Sequence, residues 1–215
     1  MTTTNELIGQ LAADAKAIPR PGAVLRRLSI GLAIGVVAAS VATVTSFGMP
    51  LQAVHHTGAA AFAMKLLFST ALFGIALVLL FVAGRPGHEL GKRWLWLLMP
   101  PAVVAISAVT ELSMATPPQR EAMWLGSTWQ TCVAAIALLS LPVFAGVLWA
   151  FQCLAPTRLR LAGLLAGLVA GSAGAVLYAL FCPETTATFL LSWYSLGMLV
   201  PGVIGLAAGP RLLRW

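Results

Sequence analysis

Charge is scarce in this sequence. Only 9% of its 215 residues are charged, whereas 60% are hydrophobic. A soluble domain carries about 25% charged residues, because water must solvate most of its surface. The composition therefore excludes an ordinary soluble protein and indicates that most of the surface faces lipid. The 13 Lys and Arg residues outnumber the 6 Asp and Glu residues, and their positions are typical of membrane topology rather than of binding to nucleic acid.

The sequence also lacks the motifs of familiar metal sites and enzymes. Its three cysteines, Cys132, Cys153 and Cys182, form no CxxC or CxxH pattern, which argues against a structural zinc site or a disulfide framework. No HExxH, GxSxG or P-loop motif occurs, so we expect neither an enzyme nor a bound cofactor. No Lys, Arg, Asp or His lies at the middle of a predicted span, which argues against an ion-coupled transporter or a charged channel filter.

Six apolar runs are long enough to cross a bilayer, which takes about 20 helical residues. We predict an all-α polytopic membrane protein whose spans cover residues 30–47, 66–84, 94–112, 131–154, 161–181 and 189–209. Residues 28–215 then form one six-helix transmembrane domain, and residues 1–27 form an arm outside the bilayer. Pro100, Pro101 and Pro142 fall within spans, where a membrane helix tolerates proline as a kink.

The loop charges predict the orientation. All basic residues except Lys65 and Arg120 lie before the first span, between spans two and three, between spans four and five, or after span six. Cytoplasmic loops carry the excess of Lys and Arg. We therefore predict that both termini are cytoplasmic and that Lys65 and Arg120 lie in loops on the opposite side. In a bacterium the protein would be a multi-pass protein of the inner membrane, and those opposite loops would face the periplasm.

The N-terminal arm contains a predicted amphipathic helix over residues 4–18. Helical spacing places on one face the apolar residues Leu7, Ile8, Leu11, Ala12, Ala15 and Ile18. Glu6, Gln10 and Asp14 fall on another face, and Pro19 ends the helix. Such a helix can lie on the lipid headgroups, or it can place its apolar face in a groove of a soluble partner.

Glycines recur at four-residue spacing in the fifth span, at Gly163, Gly167 and Gly171. A stripe of small residues lets another helix approach closely. The stripe favours compact packing within one bundle, and homodimerisation is the alternative.

Two cysteines are predicted to share one membrane depth. The topology places Cys132 at the periplasmic start of the fourth span and Cys182 at the periplasmic end of the fifth, while Cys153 lies at the cytoplasmic end. Two such thiols can form a disulfide, ligate a soft metal ion or react with an oxidant. Each can equally be a small buried hydrophobic side chain.

Three segments carry a resemblance to a known family. They are WLGSTWQTC at residues 124–132, YALFCPE at residues 178–184 with WY at 193–194 and Gly197 beyond, and GPRLLRW at residues 209–215. With the N-terminal Leu-Ile and Leu-Ala pairs and the Pro-Arg at 19–20, they resemble the NrsF family of proteobacterial inner-membrane proteins. The resemblance covers essentially the whole chain, and the YALxCPE block is its most specific part.

Members of that family are six-span anti-sigma factors. The resemblance therefore implies that the chain holds an extracytoplasmic-function sigma factor of the sigma F type and releases it under heavy-metal or oxidative stress. It implies that Cys132 and Cys182 respond, with at most a transient heavy-metal ion as ligand, and it assigns no counterpart to Cys153. We expect the sigma factor to be contacted by Leu7, Ile8, Leu11 and Arg20, and we expect no direct binding of nucleic acid.

Two other functional classes remain open at this point. A small inner-membrane transporter or redox carrier would need a polar path or a reactive thiol pair such as CxxC. A structural subunit of a larger membrane complex is the third possibility.

Overall fold

The computed structural model describes residues 4–14, 21–47, 58–85, 90–152 and 158–213, and all regular structure in these ranges is helical. Six described segments are long and apolar enough to cross a membrane, namely Leu25–Ser46, Ala59–Ala83, Gly91–Met114, Pro117–Phe151, Leu159–Ala179 and Ala187–Leu212. These segments confirm the prediction of an all-α protein with six candidate spans. The side that each terminus faces stays a prediction from the loop charges.

The third span differs in helix type from the first two. The first belongs to the helix Pro21–Phe47 and the second to Ala59–Ala83. The third begins as a 3₁₀ helix, Gly91–Leu98, and continues as the α-helix Met99–Met114. Two prolines occupy the first turn of that α-helix, where a missing N–H costs no hydrogen bond. The prolines therefore mark a change of helix type.

The last three spans surround the predicted cysteine pair. A short helix, Pro117–Leu125, precedes the fourth-span helix Trp129–Phe151, and the fifth span is Leu159–Ala179. The sixth span opens with Ala187–Phe189 and then makes a π-helical turn at Leu190–Tyr194. It continues as the α-helix Ser195–Leu212. A π turn often occurs at functional positions.

The N-terminal arm contains the helix Thr4–Asp14, within the range predicted from the amphipathic pattern. The Ile8 side chain is 58% exposed. The side chains of Leu7 and Leu11 lie outside the described part of the structure, as do the whole of Arg20 and Cys153.

The fifth span is the centre of the bundle and packs against the second, fourth and sixth spans. Its contact with the sixth span is a direct contact between backbones. A Cβ atom placed on Gly163 would overlap the carbonyl oxygen of Gly205, and one placed on Gly171 would lie 2.7 Å from the carbonyl oxygen of Met198. Gly167 meets the Pro201 carbonyl in the same way. The glycine stripe thus faces the sixth span within this chain.

A second backbone contact joins the first and fourth spans. Gly31 and Gly146 face each other so closely that a Cβ atom on either would overlap the carbonyl of the other. One turn further, a Cβ atom on Gly35 would lie 2.6 Å from the Cα of Val143. The helix that follows the N-terminal arm is therefore seated on the helix that carries Cys132.

The predicted loop position of Lys65 is wrong. Lys65 lies in the second-span helix Ala59–Ala83, and its residue is only 3% exposed. The apolar residues Ala59–Met64 extend the helix beyond the predicted start at residue 66, so that the lysine enters the bundle instead of ending it.

Glycine substitutions test this packing. We expect Gly163→Ala to lower the free energy of unfolding by about 1–3 kcal/mol, because the added methyl group must push two backbones apart. Gly74 is the matched control, since a Cβ atom there meets nothing within 4 Å. Gly74→Ala should be neutral or stabilising by up to about 1 kcal/mol, the usual helical preference for alanine. Thermal unfolding of both purified variants in detergent measures the difference, and equal stabilities would contradict the packing.

Candidate functional site

The two predicted thiols come together at one end of the bundle. Cys132 lies in the first turn of the fourth span, and its N–H donates to the carbonyl of Thr128 at 2.8 Å. Cys182 follows the fifth span and donates its N–H to the carbonyl of Tyr178 at 3.0 Å. Both thiols are unbridged, 0% exposed and part of one apolar cluster. They lie close enough to interact electrostatically.

Lys65 places a buried amino group beside these thiols. Its Nζ donates to the carbonyl oxygen of Cys182 at 2.7 Å, and it lies within electrostatic range of both thiols and of Glu184. An ionisable side chain buried in a membrane span is costly and usually serves a function. The lysine also fixes the Cys182 backbone from the side of the second span.

Two tyrosines complete the surroundings of the thiols. Tyr194 in the π turn is fully buried, and its hydroxyl lies beside the Cys182 thiol. Within the described ranges the hydroxyl of Ser69, one turn after Lys65, has no hydrogen-bond partner. Tyr178 lies within hydrogen-bonding reach of Thr128 and Thr131. Buried hydroxyls without partners are rare, which sets this end of the bundle apart from its apolar remainder.

Glu184 ties the chain after Cys182 to the start of the fourth span. Its Oε1 accepts from the backbone N–H of Ser127 at 2.7 Å and of Thr128 at 3.1 Å. The hydroxyls of the same two residues donate to that oxygen at 2.7 and 3.2 Å. The fourth-span helix starts directly afterwards, so the carboxylate also faces the positive end of the helix dipole.

Further contacts hold the segment Cys182–Ala187, which we call the closing segment. The Thr186 hydroxyl donates to the carbonyl of Met123 at 2.9 Å, and the Ala187 N–H donates to Oε2 of Glu111 at 2.9 Å. Nearby, Nε1 of Trp193 donates to the carbonyl of Trp124 at 2.7 Å. The Trp193 ring also stacks on Trp124 and Trp129, with centroids 5.9 and 5.0 Å away. The closing segment is thus fastened to the third span, to the helix Pro117–Leu125 and to the fourth span.

The site can carry out thiol chemistry. Loss of two electrons and two protons would join the sulfurs in a disulfide, and a soft metal ion could take both as thiolates. In the described part of the chain, no three His, Cys, Asp or Glu side chains converge as a metal-binding group. The two thiols therefore offer a soft ion fewer ligands than the four of a structural zinc site.

The sequence predicted that the two thiols lie at the same end of the bundle, but it did not predict the contacts of Lys65 and Glu184. A lysine at the edge of an apolar run is typical of a loop next to a span. The apolar residues 59–64 before Lys65 nevertheless indicate that the helix starts earlier. Glu184 was visible only as part of the CPE block. Its partners are 56 and 57 positions away in sequence, and no local pattern reveals such a contact.

Known proteins give a consistent comparison. Residues 11–215 match the family model NrsF, described as negative regulator of sigma F. A protein of Azospira oryzae named probable anti-sigma-F factor NrsF is 40% identical over 218 residues, which is 99% of each chain. The anti-sigma-F factor NrsF of Caulobacter vibrioides is 38% identical over 219 residues, again 99% of each chain. No solved structure matches the chain.

A family match over nearly the full length, with relatives of this identity and coverage, leaves one assignment: the chain belongs to the NrsF family of anti-sigma factors, which are regulators and not enzymes.

Proposed function

We propose that this protein is a membrane-bound anti-sigma factor. It holds an extracytoplasmic-function sigma factor of the sigma F type at the bacterial inner membrane. It releases that sigma factor when a heavy-metal ion or an oxidant reacts with Cys132 and Cys182. The observation that carries the proposal is the meeting of these two thiols in one buried cluster with Lys65, in a chain whose relatives are named anti-sigma-F factors.

The orientation follows from charge. The ends and connections of spans that lie away from the thiols carry the arginines and lysines, including Arg26, Arg27, Arg93, Arg158 and Arg211. The excess of positive charge belongs in the cytoplasm. The thiol cluster then lies at the periplasmic end, where metal ions and oxidants arrive from outside, and the N-terminal arm lies in the cytoplasm with the sigma factor.

The arm supplies the sigma-factor contact. In the helix Thr4–Asp14, helical spacing places Leu7, Ile8 and Leu11 on one face. The exposed Ile8 supports a face that is free to bind a groove of a soluble partner. Arg20, further along the sequence of the arm, is expected to add a charged contact to the sigma factor.

Coupling between the two ends runs through the fourth span. Cys132 lies in its first turn, and its later residues Gly146 and Val143 touch Gly31 and Gly35 of the first span. A reaction at the thiols that shifts the fourth span therefore moves the helix that follows the arm. The bundle then has two arrangements, one that holds the sigma factor and one that releases it. The inducer changes the balance between these arrangements only through its different affinity for each.

Replacing both thiols tests the sensing role. We expect Cys132→Ser combined with Cys182→Ser to retain the sigma factor and to abolish induction, because serine fits the space but forms neither a disulfide nor a bond to a soft metal. A sigma F-dependent reporter, measured with and without cadmium or an oxidant, reads the outcome. Cys153→Ser is the control and should respond like the parent. Normal induction in the double variant would exclude sensing by these thiols.

Charged substitutions on the arm test the sigma-factor contact. Leu7→Asp with Leu11→Asp should reduce co-purification of the sigma factor at least about tenfold, since burying one leucine contributes about 1.5–3 kcal/mol. Gln10→Asp is the control, because it adds a negative charge, one rather than two, to the predicted polar face. It should bind like the parent at equal membrane abundance. Equal retention by both variants would show that the apolar face of the arm is not the interface.

A further inference from the structure

The sensing thiols of the proposed function are closed off in this structure. Cys132 and Cys182 are both 0% exposed. Cys182 is itself the first residue of the closing segment Cys182–Ala187, and this segment contacts Ser127 and Thr128, which directly precede the helix that carries Cys132. The reactivity of the site therefore depends on how firmly the closing segment is held, and not on the sulfur atoms alone.

Glu184 makes the strongest attachment of that segment. Thr186 and Trp193 each donate one neutral hydrogen bond, and the Ala187 N–H donates a single hydrogen bond to the carboxylate of Glu111. Glu184 accepts four hydrogen bonds on one charged oxygen, from the N–H and hydroxyl groups of Ser127 and Thr128. Hydrogen bonds to a charged acceptor are about twice as strong as neutral ones.

The turn that receives the carboxylate is shaped for it. Gly126 has a φ of +58°, which favours glycine, and a Cβ atom there would lie 2.7 Å from Oε2 of Glu184. The same Cβ atom would lie 2.7 Å from Cδ2 of Phe189. The absence of a side chain at this glycine thus lets the turn pack closely against both the carboxylate and the start of the sixth span.

Lys65 holds the opposite end of the same short stretch. Its Nζ donates to the Cys182 carbonyl at 2.7 Å, two residues before Glu184. The chain from Cys182 to Glu184 is therefore fastened at both ends, on the second span and on the start of the fourth. Of the two attachments, that of Glu184 lies at the more exposed side, where Ser127 is itself accessible.

We propose that Glu184 is the positioning residue that controls access to the sensing thiols: its bonds to Ser127 and Thr128 keep the closing segment over Cys132 and Cys182, and opening this contact exposes both. Glu184 takes no part in the thiol reaction. It sets how often the thiols become accessible, and hence the concentration of inducer at which the sensor responds. This inference rests on the proposed function in that the thiols are taken as the sensing groups.

Thiol labelling in the intact chain tests the proposal. The full-length protein carries Cys153→Ser, so that only Cys132 and Cys182 react, and it is purified into lipid nanodiscs. A sulfonated maleimide, which does not enter the bilayer, is the probe, and mass spectrometry gives the rate at each thiol. The same chain in SDS gives the rate of fully accessible thiols.

We expect slow labelling of the parent and at least about tenfold faster labelling of both thiols in E184Q and E184A, the factor that corresponds to losing one charge-assisted hydrogen bond. E184D, which keeps the charge, should restore part of the protection. E121Q is the matched control, because Glu121 is an exposed carboxylate on the helix Pro117–Leu125. It should label like the parent. W193F removes one neutral bond and should have a smaller effect than E184Q.

Thermal unfolding separates access from general loss of structure. Labelling is measured well below the melting temperature of each variant, and faster labelling of a folded E184Q protein supports the proposal. It is overturned if E184Q and E184A label at the parent rate, if the parent labels as fast as the SDS sample, or if E121Q accelerates labelling equally.

The labelling assay needs no sigma factor, so the two proposals fail separately. Loss of protection in E184Q together with normal induction of the double-serine variant would leave the access control standing and remove the sensing role. Loss of induction in the double-serine variant together with unchanged protection in E184Q would leave the sensing role standing and remove the access control.

Discussion

The contact of bare helix backbones is the constraint on which this fold depends. Inside a bilayer, helices gain little by hiding apolar side chains from lipid, and close packing has to supply the attraction. Gly163 against Gly205, and Gly31 against Gly146, provide it by letting carbonyl groups of one helix meet the Cα atoms of the next. With the fifth and sixth spans this close, the chain between them is short and turns directly over the end of the bundle. The segment that carries Cys182 is therefore positioned by a glycine contact deeper in the same pair of helices.

Polarity is concentrated where that turn occurs. Lys65, Glu184, two thiols and the hydroxyl of Tyr194 gather at one end of the bundle, whereas the other buried polar side chains among the described residues are those of serine and threonine. The lysine, the carboxylate and the tyrosine hydroxyl would each be costly alone in an apolar surrounding. Lys65 and Glu184 hold backbone atoms here, while the thiols remain unbridged. A site built this way can be stable at rest and still contain groups that react.

The sequence was most informative where the physics is local. Length and apolarity of a run decide whether it can span a bilayer, so the six spans could be predicted, and loop order then placed Cys132 and Cys182 at one depth. The missed features depend on distant parts of the chain. Lys65 is retained in its helix by the carbonyl of Cys182, 117 positions away, and the partner of the glycine stripe proved to be the sixth span. The 3₁₀ start of the third span and the π turn at Leu190–Tyr194 leave no periodic signature that distinguishes them from an α-helix.

The fourth span has a consequence for how this protein can vary. One continuous helix presents Cys132 to the buried cluster near its start and Gly146 to the first span near its end. The angle between these two faces is fixed by the number of residues between them. Inserting or deleting one residue would rotate one face by about 100° relative to the other. Substitutions along the lipid-facing side leave that register untouched. We therefore expect related sequences to keep the number of residues between Cys132 and Gly146. The identity of the lipid-facing residues in that interval can vary more freely.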